Sequence, residues 1–473
     1  MSRLRHPLTA VAGAVLLSLP WVVVESSRLA VRAELLAPGS AITLSTGVTV
    51  LVTGLAVVGA SFLLAWGAET AEKDVPRAFA IAVLAILAVA PEYAVDAFYA
   101  WSAGSQAGTA AGIEAGNLAI ANMTGANRIL IGLGWSGIAI FTVYRAYHVR
   151  DENVEKRSGF LADVVRLDQA LTTEITFLWL ATLWAFLVPL GGGIDLIDTV
   201  VLVGLYVSYI LIIIRSGLET EEEHIGVPGY LQEYRKPKRI ATVLALFVYS
   251  GIMILIAVEP FAHGLEQLGV NYGIPKFFMI QWIAPLASES PELIVVAYLV
   301  NKARSSAGFN ALISSKLNQW TLLIGTLAIV YSIALGQVGT LGFDYKQSLE
   351  IWLTAAQSFF ALAILVNFNI SLREAVALLV LFVSQVFSEF LVLNVLPDAT
   401  PEFMASVLDA LSLASPEALS HTLLLGFTVV YVVIGTAMFV VRRAALKEML
   451  GMTAEVIQTA FGRRSDFDRI EEQ

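Results

Sequence analysis

The sequence predicts an all-α polytopic membrane protein of about twelve transmembrane helices, with a core of two inverted five-helix repeats. The prediction rests on composition, on recurrent long apolar runs, and on a Pro-Glu pair that occurs once in each half of the chain, at Pro91-Glu92 and Pro291-Glu292. With 57% hydrophobic and only 14% charged residues and a mean hydropathy of +0.75, the 473 residues carry more apolar surface than a soluble domain buries. The net charge of −10 gives no basic face for nucleic acid. Cysteine is absent, which excludes disulfides, thiolate metal sites and cysteine nucleophiles. No histidine cluster and no Ser-His pairing within a span supports an enzyme, so the expected class is a transporter.

Apolar runs of about 20 residues, enough to cross the hydrocarbon as helix, begin near Ala10, Ile42, Ala78, Gly116, Glu174, Ile194, Ile240, Pro275, Gly308, Ser348, Ser371 and Ser420. The first follows Arg3 and Arg5 like a signal peptide, but no small-x-small cleavage site follows it, and a retained span is expected. The run from Gly116 to Tyr147 is long for one crossing, and Gly132, Gly134 and Gly137 are placed to bend it. Alternate connections collect most of the 29 basic residues when the N-terminus is cytoplasmic. Only Arg28, Arg32, Lys276 and Lys346 then lie outside, while Arg128 and Lys316 fall within spans. Both termini are therefore expected in the cytoplasm, with the protein in the cell (inner or plasma) membrane.

This topology runs the Glu92 span and the Glu292 span in opposite directions. The expected organisation is an extra span in 1–41, a first repeat in 42–215, a charged cytoplasmic linker in 216–239, an inverted second repeat in 240–397, and a further span with a tail in 398–473. The linker, with Glu219, Glu221, Glu222 and Glu223 followed by Arg235, Lys236, Lys238 and Arg239, reads as solvated. In the tail, Met449, Met452, Val456, Ile457 and Phe461 among charges suit an amphipathic helix on the inner membrane surface.

The chemistry concentrates in two pairs of helices. A carboxylate at membrane depth is costly unless it faces the protein interior or water and has a partner, which makes an intramembrane Glu a functional candidate. Asp96 follows Glu92 by four residues on the same helical face, and Ser288-Glu289-Ser290-Pro291-Glu292 supplies carboxylates and hydroxyls together. Proline within a helix frees a carbonyl one turn earlier. Carbonyl, hydroxyl and carboxylate oxygens are the hard ligands that Na⁺ or Ca²⁺ requires. The partner segments carry Asn122, Thr124 and Asn127, then Asn318 and Thr321, among small residues that permit close helix approach. Packing and ion coordination both account for these amides.

These residues resemble the calcium/cation antiporter superfamily, the membrane region of sodium/calcium and calcium/proton exchangers, over about residues 42 to 397. Its repeats read G-T-S-x-P-E and then G-N-x-x-G-S-N-x-x-N/D. Pro91-Glu92, Pro291-Glu292, Asn122, Thr124-Gly125, Asn127 and Asn318 carry the likeness. The resemblance implies that Glu92 and Glu292 are the paired metal-binding carboxylates near the midplane, taking Ca²⁺ in alternation with Na⁺ or protons. The family hydroxyls are replaced by Ala88 and Val89 in one repeat, while Ser288 and Glu289 stand in the other. Ala126, Leu130 and Leu317 replace further polar ligands.

Near these losses stand Arg128 and Lys316, one on each partner helix. A fixed cation satisfies the same Coulomb demand as a bound ion, so both are expected to pair with Glu92, Asp96, Glu289 or Glu292. The competing readings are neutralisation of a structural carboxylate and snorkelling to an interface. The expected ion-binding set is Glu92, Glu292, Asp96, Ser288, Glu289, Asn122, Asn127, Asn318 and Thr321, with Arg128 and Lys316 as charge-compensating groups. No resident cofactor is expected, and the partners are the lipid bilayer and transported cations. The expected function is exchange of Ca²⁺ or another cation for Na⁺ or H⁺; a Na⁺/H⁺-type exchanger and a transport-inactive relative are the alternatives.

Other polar residues in spans are Gln357, Gln385, Glu389 and Asn394, with Glu389 either lining a vestibule or paired locally. Asp195 and Asp198 read as solvated near an interface.

Overall fold

The computed structural model describes residues 6–37, 39–74, 89–149, 151–216 and 226–471; the side chains of 291, 398, 399 and 463–471 are outside this description. Arg3, Arg5, Arg77, Ala88, Arg150, His224, the acidic part of the linker and the start of the third predicted span therefore lie outside the described residues. Among the described residues, ten helices are long and apolar enough to cross a membrane. Lys276–Ser290 and Glu292–Asn301, counted together as one span, make eleven. The chain divides into two compact units, Met1–Tyr99 with Leu218–Pro291 and Ala100–Gly217 with Glu292–Gln473, so each draws on both halves of the sequence.

In the first unit, α1 (Pro7–Arg32) and α2 (Thr46–Ala71) pack with α9 (Lys236–Tyr272). The small residues of α2 let the helices approach. A Cβ added at Gly59 would lie 2.3 Å from the Ala14 carbonyl oxygen on α1. The buried Trp21 donates to the Ile256 carbonyl at 3.1 Å, and the Ser18 hydroxyl shares a hydrogen bond with Tyr249 at 2.7 Å. Beyond α2, Asp74 receives both arms of Arg239 at 2.6 Å. This guanidinium holds the Asp74 carboxyl below the usual range. The expected solvated linker is only partly so. Its described portion forms α8 (Val227–Gln232), which buries Val227 and Leu231 with Leu63 and Leu246 because the apolar residues share one face.

The second unit contains most of the remaining spans. In it α4 (Ala110–Ile129) runs through a π-helical segment, Leu130–Trp135, into α5 (Ser136–Ala146), where the three glycines lie. The same device recurs where α11 (Ser305–Asn318) passes through Gln319–Leu323 into α12 (Ile324–Leu335). Widening of the helix by one residue per turn re-aims the flanking side chains, and such segments are frequent at functional sites.

Also in this unit, α6 (Thr172–Ala185), α7 (Leu196–Ser216), α13 (Tyr345–Leu365), α14 (Leu372–Phe390) and α16 (Pro416–Val441) complete the apolar set. α15 (Pro401–Ala410) is a short helix before the last of them. The connections hold short strands: β1 (Val154–Glu155), β2 (Val164–Arg166) and β5 (Asn369–Ser371) pair antiparallel in that order, with Val165 opposite Ile370. A separate pair joins β3 (Gly193–Ile194) to β4 (Leu341–Gly342).

One expectation changes here, and one element gains a partner. Asp198 is buried rather than solvated, because Trp184 donates to it at 2.9 Å and it accepts from the Asp195 amide at 3.1 Å. The tail is helical, in α17 (Arg443–Glu471), and it docks on α6 and α7. Met449 is buried, Thr453 shares a hydrogen bond with Thr176 at 2.7 Å, and Phe461 lies under the Arg215 guanidinium at 5.0 Å.

Candidate ion-binding site

In the first unit, Glu92 opens α3 (Ala90–Ser105), the described part of the third predicted span. Pro91 stands in its first turn, where a missing N–H costs little, and Glu92 meets the positive end of the helix dipole. The amides of Glu92 and Tyr93 both turn back on the Val89 carbonyl, at 3.2 and 3.3 Å. Glu92 is 2% exposed, and Asp96, one turn on, is fully buried. The Ser288 hydroxyl donates to a carboxylate oxygen of Glu92, so a residue from each half of the sequence meets here. Glu289, beside Ser288 in α10 (Ala284–Asn301), is also buried.

In the second unit, Glu292 accepts a hydrogen bond from Ser315 of α11 at 2.9 Å. Asn122, Asn127, Arg128, Lys316, Asn318 and Thr321 are all buried. Asn127 donates to the Met123 carbonyl one turn back at 2.8 Å, which fixes its amide and turns its oxygen toward Lys316. The Lys316 ammonium donates to that oxygen at 2.7 Å and lies 4.1 Å from the centre of the Trp320 ring. The Thr321 hydroxyl donates to the Leu317 carbonyl at 2.5 Å, leaving its lone pairs as the remaining polar function.

The two basic residues have Glu350 and Asn127 among their partners. Arg128 forms a buried ion pair with Glu350 of α13, at 2.5 Å, a partner outside the expected set. Successive helical residues are turned by about 100°, so Arg128 is directed to a different neighbour from Asn127. Lys316, for its part, donates to an amide oxygen and the backbone of Asn127. Sequence reasoning passed over Glu350, although a carboxylate two residues into the apolar run from Ser348 was a usable signal. It also left Ser315 unassigned, because a hydroxyl among small residues reads equally as helix packing. Glu389 pairs locally, with Lys346 at 3.1 Å.

Each unit offers buried hard oxygen donors, and the second also holds the buried cations Arg128 and Lys316. Among the described residues, no group of three His, Asp or Glu side chains is arranged to hold a metal. A cation taken here would therefore draw on amide, hydroxyl and backbone oxygens as well as carboxylate.

Comparison with known proteins identifies the family. The family described as "Sodium/calcium exchanger protein" matches residues 44–215 and 242–391. The crystal structure of the H⁺/Ca²⁺ exchanger CAX is 39% identical, covers 96% of this chain and 98% of its own, and superposes with a TM-score of 0.77. Native YfkE shares the fold at 14% identity and a TM-score of 0.52, over 80% of this chain and 99% of its own. The sodium-calcium exchanger NCX_Mj, soaked with 100 mM Na⁺ and 10 mM Sr²⁺, is 17% identical over 72% of this chain and 98% of its own, with a TM-score of 0.46. No curated protein matches the sequence significantly. The chain belongs to the sodium/calcium exchanger family.

Proposed function

We propose that this protein is a proton-coupled cation antiporter, with Ca²⁺ as the default substrate. Family membership supports a secondary transporter, and the 39% identical relative is an H⁺/Ca²⁺ exchanger. The observation that carries the choice of proton is Lys316: its buried ammonium holds the Asn127 amide oxygen at 2.7 Å. That oxygen is one a bound Na⁺ would use, and a fixed cation there reduces the demand for a second metal ion. A buried lysine also gives up its proton readily as a nearby site gains a metal charge.

Glu92 and Glu292 are the proposed acidic groups that take and release the transported ion, with Asp96, Ser288, Glu289, Asn122, Asn318 and Thr321 as supporting oxygen donors. Two inverted repeats, 42–215 and 240–397, would move by alternating access, and both termini would be cytoplasmic. Exchange follows from electrostatics, because buried carboxylates without a cation make reorientation of the empty carrier costly.

The test is purified protein in liposomes, offered an outward Na⁺ gradient, a pH gradient, or neither. Uptake of Ca²⁺ driven by the pH gradient is expected. Uptake driven only by Na⁺ would replace the coupling ion, and no flux of any alkali, alkaline-earth or transition cation would leave a transport-inactive relative.

A further inference from the structure

A second polar system lies in the second unit, on helices that carry none of the expected ion ligands. Gln357 on α13, Gln385 on α14, and Ser420 and Tyr431 on α16 are each no more than 2% exposed. Among the described residues, no protein group lies within hydrogen-bond distance of either amide atom of Gln357 or Gln385, or of the Ser420 and Tyr431 hydroxyls. A buried polar atom without a partner costs about 1–3 kcal/mol, and here there are six on three neighbouring helices.

Their placement is ordered. α13 and α14 both pack on α16 and on the π-helical segment Leu130–Trp135. At one end, Lys346 pairs with Glu389, Tyr345 meets His421 edge-to-face at 5.4 Å, and Ser420 is the adjacent residue. His421 lies within electrostatic reach of both Lys346 and Glu389. One helical turn further along each helix come Glu350, paired with Arg128, and Gln385. Tyr431 follows: its ring is 5.8 Å from Phe360, and its hydroxyl is within electrostatic reach of Arg128. Gln357 stands two turns beyond Glu350 on α13. From Ser420 to Tyr431 is about 16 Å of helix, roughly half the hydrocarbon thickness.

An amide with both ends unmet needs a partner that donates and accepts, and a metal cation does neither for its N–H groups. Water does both, and buried water with several polar partners is a regular part of protein interiors. We propose that these side chains line an internal water tract from the Lys346–Glu389 pair past the Arg128–Glu350 pair to Gln357 and Tyr431, and that it carries the protons of the exchange. The proton role rests on the proton-coupled reading above; the tract itself does not.

Two measurements on the full-length protein separate the claims. Radiolytic hydroxyl-radical footprinting reads bound water at Tyr431, which has no access to bulk solvent. Strong labelling of Tyr431 is expected, and labelling no higher than that of buried Phe309 overturns the tract whatever the coupling ion. In liposomes, Gln357→Leu with Gln385→Leu is expected to slow pH-driven Ca²⁺ uptake about tenfold or more, with ⁴⁵Ca²⁺ binding kept within about twofold. Tyr431→Phe, which removes one oxygen and no volume, serves if the double variant does not fold, with the same direction expected. Unchanged pH-driven uptake in a folded variant overturns the proton role. A wild-type chain without pH-driven uptake removes that role together with the coupling reading, and the footprint then decides the tract alone.

Discussion

At the scale of single residues, the buried charges decide most. Arg128 and Glu350 are each no more than 1% exposed at the side chain, so their separation from water is compensated by each other. Glu350→Gln removes the counter-charge and should cost about 3–5 kcal/mol, seen as a lowered melting temperature in detergent. Adding Arg128→Met should recover part of that loss, because an apolar pair of similar volume tolerates burial. Lys316→Ala carries the functional test: a changed ion coupling and a flattened pH dependence of transport are expected. Unaltered coupling and pH dependence would sink the role given to Lys316.

The Asp74–Arg239 clamp gives a pH prediction with a definite sign. Its carboxyl is depressed in the folded state, chiefly by the Arg239 hydrogen bonds. The stability it supplies is therefore present above the ordinary carboxylate range and lost as pH falls through the lower folded value. Wild type should lose more melting temperature than Asp74→Asn on going from neutral to strongly acidic buffer.

At the scale of elements, the π-helical segments are the features that sequence patterns reach least. The glycines at 132, 134 and 137 marked an irregularity, but only the neighbours distinguish them. A Cβ at Gly132 would sit 2.2 Å from the Phe382 ring, whereas nothing lies within 4 Å at Gly137. Gly132→Ala should thus cost about 1–3 kcal/mol through displacement of Phe382, while Gly137→Ala should be neutral or slightly stabilising. Equal melting temperatures for the two variants would remove the packing argument. The spans themselves were legible because runs such as Ile240 onward are continuous and apolar. The amphipathic tail was legible as helix but not in its docking partner, since Met449 and Phe461 suit a lipid surface and a protein groove equally well.

At the scale of the whole molecule, the division into units is a tertiary property. Each unit joins segments far apart in the chain, as where Ser288 meets Glu92. The liposome experiment belongs to this scale, because the proposed coupled flux draws on residues from both halves of the sequence. Composition, run length and the twin Pro-Glu pairs by themselves determined a helical membrane protein with acidic groups at membrane depth, since bilayer thickness and the cost of a buried carboxylate act on sequence directly; its place in the exchanger family came from the resemblance of its motifs. The partners of each buried charge were decided only by tertiary structure. Arg128 lies beside Asn127 in sequence yet reaches Glu350, because helical rotation and the packing of α13, not sequence distance, determine which groups meet.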